Sequence, residues 1–227
     1  MRERERRDDG LTMVELLVAM IVFALAVALA FSAVIMVMRK SNDAQQSADA
    51  QYQLRAAVAQ IDRQVRSGNV LFSPKDEHTP SDCQGVDQYS GTCMRIYTQS
   101  NGDEKCVQWQ LMVDPDAAGT YLLRTRSWEP NWTTGGTVND WGIVARGLHY
   151  DGGTDPAAYA AGDTKPPFTL SSAISTAVKP YGDRMLVVHL EATDTRNGHP
   201  IAVDSSITGR NTSYGYSSGQ CWPVPAS

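Results

Sequence analysis

Glu15 is the residue whose setting implies chemistry. From Leu11 to Met38 it is the only charged side chain, and Thr12 and Ser32 are the only other polar ones. An ionisable group inside so apolar a run is costly and by default marks function. A cut between Gly10 and Leu11 would create an α-amine four residues before this carboxylate. A positive terminus and a negative side chain would then share one apolar helix. In a bundle of such helices, the carboxylate of one copy could neutralise the amine of its neighbour. An unpaired buried charge is heavily penalised, so such a pair would set the axial register between copies. Glu15 also has a local use. Thr12-Met13-Val14-Glu15 fits the capping-box pattern, and a glutamate in the first turn suits the helix dipole.

The remaining candidates for chemistry are dispersed. His78, His149, His189 and His199 show no HExxH or GxSxG pattern, so no catalytic constellation emerges, and neither enzyme activity nor a cofactor is expected. Alternation puts His189 on the face opposite Val188 and Leu190, where a surface position is expected. Asp151-Gly152-Gly153-Thr154-Asp155 offers oxygen ligands on a permissive backbone. Asp151 and Asp155 are therefore candidate Ca²⁺ ligands, but the EF-hand spacing is missing and a plain acidic turn is the simpler reading. No metal is expected. Trp128, Trp132 and Trp141 cluster around Pro130 and Gly135-Gly136. They are candidates for tip or ligand contact with a glycan or another subunit; the competing reading is that they fill the core under a loop.

Cys83, Cys93, Cys106 and Cys221 form no CxxC pair and have no histidine at metal-ligand spacing. An even count in an exported domain favours disulfides. Three connectivities exist. Cys83–Cys93, closing a Gly-containing loop, and Cys106–Cys221, tying down the C-terminal tail, are favoured over four reduced cysteines.

Positioning these residues requires an anchor and a folded head. The chain has 227 residues, 42% of them hydrophobic, enough for one sizeable core. A net charge of −5 argues against non-specific nucleic-acid binding, which needs a basic patch. Leu11–Met38 as a helix would measure about 42 Å, longer than the ~30 Å hydrocarbon core. Arg2, Arg4, Arg6 and Arg7 precede it, whereas Arg39 and Lys40 follow. That bias places the N-terminus in the cytoplasm and the rest outside. A secretory signal peptide fits less well, because the apolar run is about twice the usual length and carries an acid near its start.

Residues 41–67 contain no Gly or Pro, and Leu54, Val58, Ile61 and Val65 recur at helical spacing. Ala44, Ala48 and Ala57 extend this stripe. Gly68-Asn69 is a stop signal. The helix either continues the apolar one or restarts at an Asn42 or Asp43 cap. Beyond it, strands are expected at Met94–Gln99, Cys106–Val113, Tyr121–Ser127, Ile143–Tyr150, Leu186–Ala192 and Ile201–Thr208. Arg196-Asn197-Gly198 supplies a hairpin turn, and residues 152–182, rich in Gly, Ala, Pro and Ser, a long loop.

The run Gly10-Leu11-Thr12-Met13-Val14-Glu15-Leu16-Leu17-Val18-Ala19-Met20 resembles the prepilin processing motif of type IV pilins and type II secretion pseudopilins. The resemblance implies cleavage by prepilin peptidase after Gly10, N-methylation of Leu11, and a methylation and docking role for Glu15. Leu11 stands where Phe is commoner, and Ser32 where many major pilins place a helix-loosening proline. Gln53–Arg66 and the run from Arg184 to Asn211 resemble J-type pseudopilins and the corresponding minor pilins.

The implied fold is α+β and pilin-like: a long N-terminal helix, membrane-spanning then amphipathic, packed on an antiparallel sheet. The implied divisions are 1–10 leader, 11–40 transmembrane and assembly helix, 41–68 amphipathic helix and 69–227 extracytoplasmic β-rich domain. The implied partners are other pilin or pseudopilin subunits, prepilin peptidase and the cytoplasmic membrane, with no nucleic acid. The implied function is that of a minor pilin, first in the inner membrane and then in an extracellular filament. A secretion pseudopilin, or a pilin-anchored surface-binding protein that does not polymerise, are the alternatives.

Overall fold

The computed structural model describes residues 12–74, 77, 91–99, 102–151, 165–171, 185–193, 200–209, 213–214 and 219–226. The chain divides into two compact units, Met1–Gln46 and Ser47–Ser227. Helix α1, Met13–Ser67, passes through that boundary without a break. Asn42 and Asp43 therefore start no second helix, because the residues before them are already helical. Ser32 is also accommodated; its hydroxyl donates to the Leu29 carbonyl at 2.8 Å.

The described residues of the second unit form nine strands: β1 Gly68–Leu71, β2 Cys93–Thr98, β3 Lys105–Val113, β4 Tyr121–Trp128, β5 Gly142–His149, β6 Phe168–Ser171, β7 Met185–Thr193, β8 Pro200–Thr208 and β9 Ser213–Tyr214. Among the described residues they form one sheet in the order β6-β7-β5-β4-β3-β2-β1-β9, with β8 also paired to β7. All pairs are antiparallel except β1 with β9, which is parallel.

One edge of β7 serves two partners. Its Glu191–Ala192 end pairs with β5, and Met185–Val188 pairs with β6. Its other edge pairs with β8 along the full length. All six expected strands are present. Three short strands, β1, β6 and β9, add to the six expected, and β6 falls inside the stretch expected to be a loop. Residues 194–199, which hold the expected hairpin turn between β7 and β8, lie outside the described residues.

The main core lies between one sheet face and the second half of α1. Leu54, Ala57, Ile61 and Val65 are fully buried against Ile96, Trp109, Leu111, Leu123, Leu186 and Val188. This is an α+β arrangement consistent with the pilin fold. Val58 is only partly buried at the flank of that stripe, whereas Ala44 and Ala48 are exposed. The core-facing stripe starts at Ala50, so the two N-terminal alanines have no core to face. Ile61→Val removes one methylene from a fully buried site and is expected to cost about 1 kcal/mol. Tyr52→Ala, at a side chain 75% exposed, should be near neutral. Urea unfolding of both variants checks this, and equal effects would contradict the assigned helix face.

Candidate functional site

The N-terminus of α1 is fixed by Thr12. Its hydroxyl accepts the Glu15 N–H at 3.3 Å, and its carbonyl accepts the Leu16 N–H at 3.2 Å. Thr12 is thus the N-cap, as the sequence pattern requires. The Glu15 side chain is exposed and has no partner among the described residues. The capping half of the motif is made, and the carboxylate is left over. Gly10 and Leu11 lie outside the described residues.

Behind this cap, the apolar side chains of the first unit face outward. Met13 is 92% exposed, and Phe23 and Leu29 are each 71% exposed. The helix is long and apolar enough to cross a membrane, and none of its most apolar 18-residue window is buried. A continuous surface of this kind needs a cover of lipid or other helices.

The sheet face opposite the main core carries a second cluster. Val70, Phe72, Tyr97, Cys106, Trp128, Cys221 and Val224 pack together there. Cys106 and Cys221 form a disulfide, as favoured. Cys93 is also disulfide-bonded, and its expected partner Cys83 lies outside the described residues. The tail beyond Cys221 is held by side chains from the sheet. Arg126 donates to the carbonyls of Pro225 at 2.7 Å and Ala226 at 3.1 Å. Arg95 donates to the Cys221 carbonyl at 2.9 Å and pairs with buried Glu77 at 2.8 Å. Burial, reinforced by the neighbouring Arg124, pulls the Arg126 guanidinium down to about 10.

The three tryptophans gather on this same face of the sheet, Trp128 and Trp141 both against Arg126 and Trp132 against the cluster that holds Trp128. Trp128 is buried in this second cluster. Trp132 packs at its edge and donates its indole N–H to the Pro223 carbonyl at 2.8 Å. Trp141 lies under the guanidinium groups of Arg124 and Arg126, at 4.0 and 4.4 Å from its ring centroid. At this range cation–π attraction is effective.

His189 is buried, contrary to the surface position expected from alternation. Its side chain lies on the face opposite Val188 and Leu190, and its N–H extends the pairing with β6 by donating in the plane of the sheet to the Pro167 carbonyl at 2.9 Å, while neighbouring carboxylates enclose the ring. Its ring touches Asp204 at 2.6 Å and Glu191 at 2.8 Å. The imidazole holds the Asp204 carboxyl below its ordinary range. Asp151 contacts His149 at 2.6 Å. Asp155, His78 and His199 lie outside the described residues.

Residues 6–31 match the family model of the prokaryotic N-terminal methylation motif. This supports the type IV pilin and pseudopilin family. No curated protein and no solved structure matches the chain. The motif implies association with other pilin subunits and processing by prepilin peptidase. Together with the exposed apolar helix, it indicates membrane anchoring.

Proposed function

We propose that this chain is a minor pilin. In this reading it is cut after Gly10, N-methylated on Leu11, and built into a type IV pilus or related filament through its N-terminal helix, where it primes assembly or sits at the tip. The observation that carries this is the methylation motif at the start of a helix whose apolar side chains are exposed among the described residues. The exposed Glu15 carboxylate is four residues from the new terminus in sequence, where it can pair with a neighbour's amine. Ser32 in place of a proline, and a helix unbroken through it, favour a low-copy subunit over an abundant one.

Mass spectrometry of the mature protein is expected to find N-methyl-Leu11 at its terminus. An intact Met1, or a terminus near Ala26, would defeat this reading. Crosslinking in cells then separates the alternatives: pilus subunits as neighbours support the proposal, secretion-channel components indicate a pseudopilus, and no pilin neighbour indicates a non-polymerising binding protein.

A further inference from the structure

Among the described residues, only His189 has a carboxylate at both ring nitrogens. Its Nδ1 lies 2.6 Å from Oδ1 of Asp204, directly opposite on β8, and its Nε2 lies 2.8 Å from Oε1 of Glu191, two residues on along β7. Val188 and Leu190 point into the main core, so His189 and Glu191 share the other face. The His189 side chain is 8% exposed, against 25% for Glu191 and 59% for Asp204. The remaining titratable groups around the ring come from neighbouring elements. Register places His149 of β5 opposite Glu191, and His149, Tyr150, Asp151 and Lys165 line the same cleft of about 180 Å³. His149 is closed onto Asp151, a single contact that the N–H of a neutral ring supplies.

Two carboxylates ask more of His189 than a neutral imidazole holds, which is one N–H and one lone pair. Whichever nitrogen carries that hydrogen, the other turns its lone pair on an ionised oxygen at hydrogen-bond distance, and the contact is repulsive. A second ring proton makes both contacts attractive, and hydrogen bonds between charged partners are about twice as strong as neutral ones. Protonating a carboxylate instead is the weaker solution. Imidazole is the stronger base, about 6.5 against about 4 for unperturbed carboxyls. The hydrogen bond from the ring also holds the Asp204 carboxyl below its ordinary range.

We propose that His189 carries a proton on each ring nitrogen, and that the second proton is a pH-sensitive latch holding β8 to β7. Among the described residues β8 pairs with β7 alone, so the latch sits across the one seam that fixes it. When the second proton leaves, the neutral ring keeps one carboxylate and repels the other. Asp204 is the more exposed of the two and turns to solvent, which opens the tie between the strands while Glu191 stays on the ring. The imidazolium contributes stability that is present at low pH and lost as the ring deprotonates. The Asp204 carboxylate contributes stability that is lost as pH falls through its own depressed range. The latch is closed between those two limits. Lys165 opposes the imidazolium, but it is exposed and water and salt screen it.

The test is nitrogen NMR of the full-length chain in detergent, labelled with ¹⁵N at the histidine rings, with His189→Gln assigning the signals. Both His189 nitrogens are expected to read as protonated while Asp204 and Glu191 are ionised. Glu191→Gln keeps the size of the side chain and removes the demand for the second proton, so the proton affinity of the ring should fall at least tenfold. Hydrogen exchange of the β8 amides, corrected for intrinsic rates, should quicken at least tenfold as the ring deprotonates, with no such step in His189→Gln. Circular dichroism checks that each variant is folded. Should His189→Gln not fold, Asp204→Asn, at the most exposed of the three side chains, serves for the exchange measurement. A His189 ring with one proton while both carboxylates are ionised would overturn the proposal. So would an unaltered proton affinity in Glu191→Gln, or β8 protection that does not follow the titration of the ring.

Discussion

Changing both Cys106 and Cys221 to serine is expected to destabilise the Ser47–Ser227 unit by about 4 to 5 kcal/mol. The bridged residues are 115 apart in sequence, so the bond removes a large amount of conformational freedom from the unfolded chain. That loss approaches the whole stability of an ordinary domain, about 5 to 15 kcal/mol. The remaining ties on the tail are hydrogen bonds from Arg95, Arg126 and Trp132 to main-chain carbonyls. Each contributes about 1 kcal/mol, rising to about 1.5 to 3 where the donor is charged. Those bonds act only while the tail is already in place. Urea unfolding under non-reducing conditions should show the shift, and proteolysis should remove the tail near Trp222 from the variant before it attacks the core. A loss under about 1 kcal/mol would mean that packing of Val224 and the arginine bonds suffice, and that the bridge is incidental.

How far the fold was legible depended on the reach of each signal. The stripe Leu54, Ile61 and Val65 follows the helical period, and its burial follows from amphipathicity alone. The longer strands announce themselves by alternation: Val107, Trp109 and Leu111 all face the core. Strand β1 begins at Gly68, immediately after the helix, with only four residues. Strand β6 has four residues inside a Gly- and Pro-rich stretch, and β9 has two. Segments this short are specified by what they pair with, which a local pattern does not record. The functional residues divide the same way. Thr12 and Glu15 form a motif four residues long, visible at once. The pairing of His149 with Glu191 depends on β7 exchanging one partner for another along one edge, and no spacing in the sequence encodes that. The burial of His189 is hidden for the same reason, since its ring is held by Asp204 of the neighbouring strand.

Glu15→Val is expected to leave the head intact and to remove the chain from filaments. Valine raises the apolar character of the helix, so membrane insertion should be unimpaired; a charged residue at the centre of such a helix costs roughly 2.5 to 3.5 kcal/mol on insertion scales. Partition alone therefore predicts that the variant is at least as well anchored as the parent. Docking predicts the opposite for assembly. With the carboxylate gone, a neighbour's α-amine would be buried without a partner, at a cost of about 3 to 5 kcal/mol. That corresponds to a drop in incorporation of roughly 100-fold or more. The local contribution of Glu15 to the helix start does not confuse the result, because the cap bond uses the Glu15 backbone N–H and the Thr12 hydroxyl, and both survive the change. Glu15→Gln keeps the size and removes the charge, so it should fail nearly as badly if pairing with the amine is the cause. The readouts are subunit abundance in sheared filaments, the mature N-terminus, and the Cys106–Cys221 bridge as a marker of a folded head. A cleaved, folded, membrane-bound Glu15→Val chain that is missing from filaments assigns the carboxylate to docking. Normal incorporation of that chain would leave Glu15 as a first-turn residue and no more.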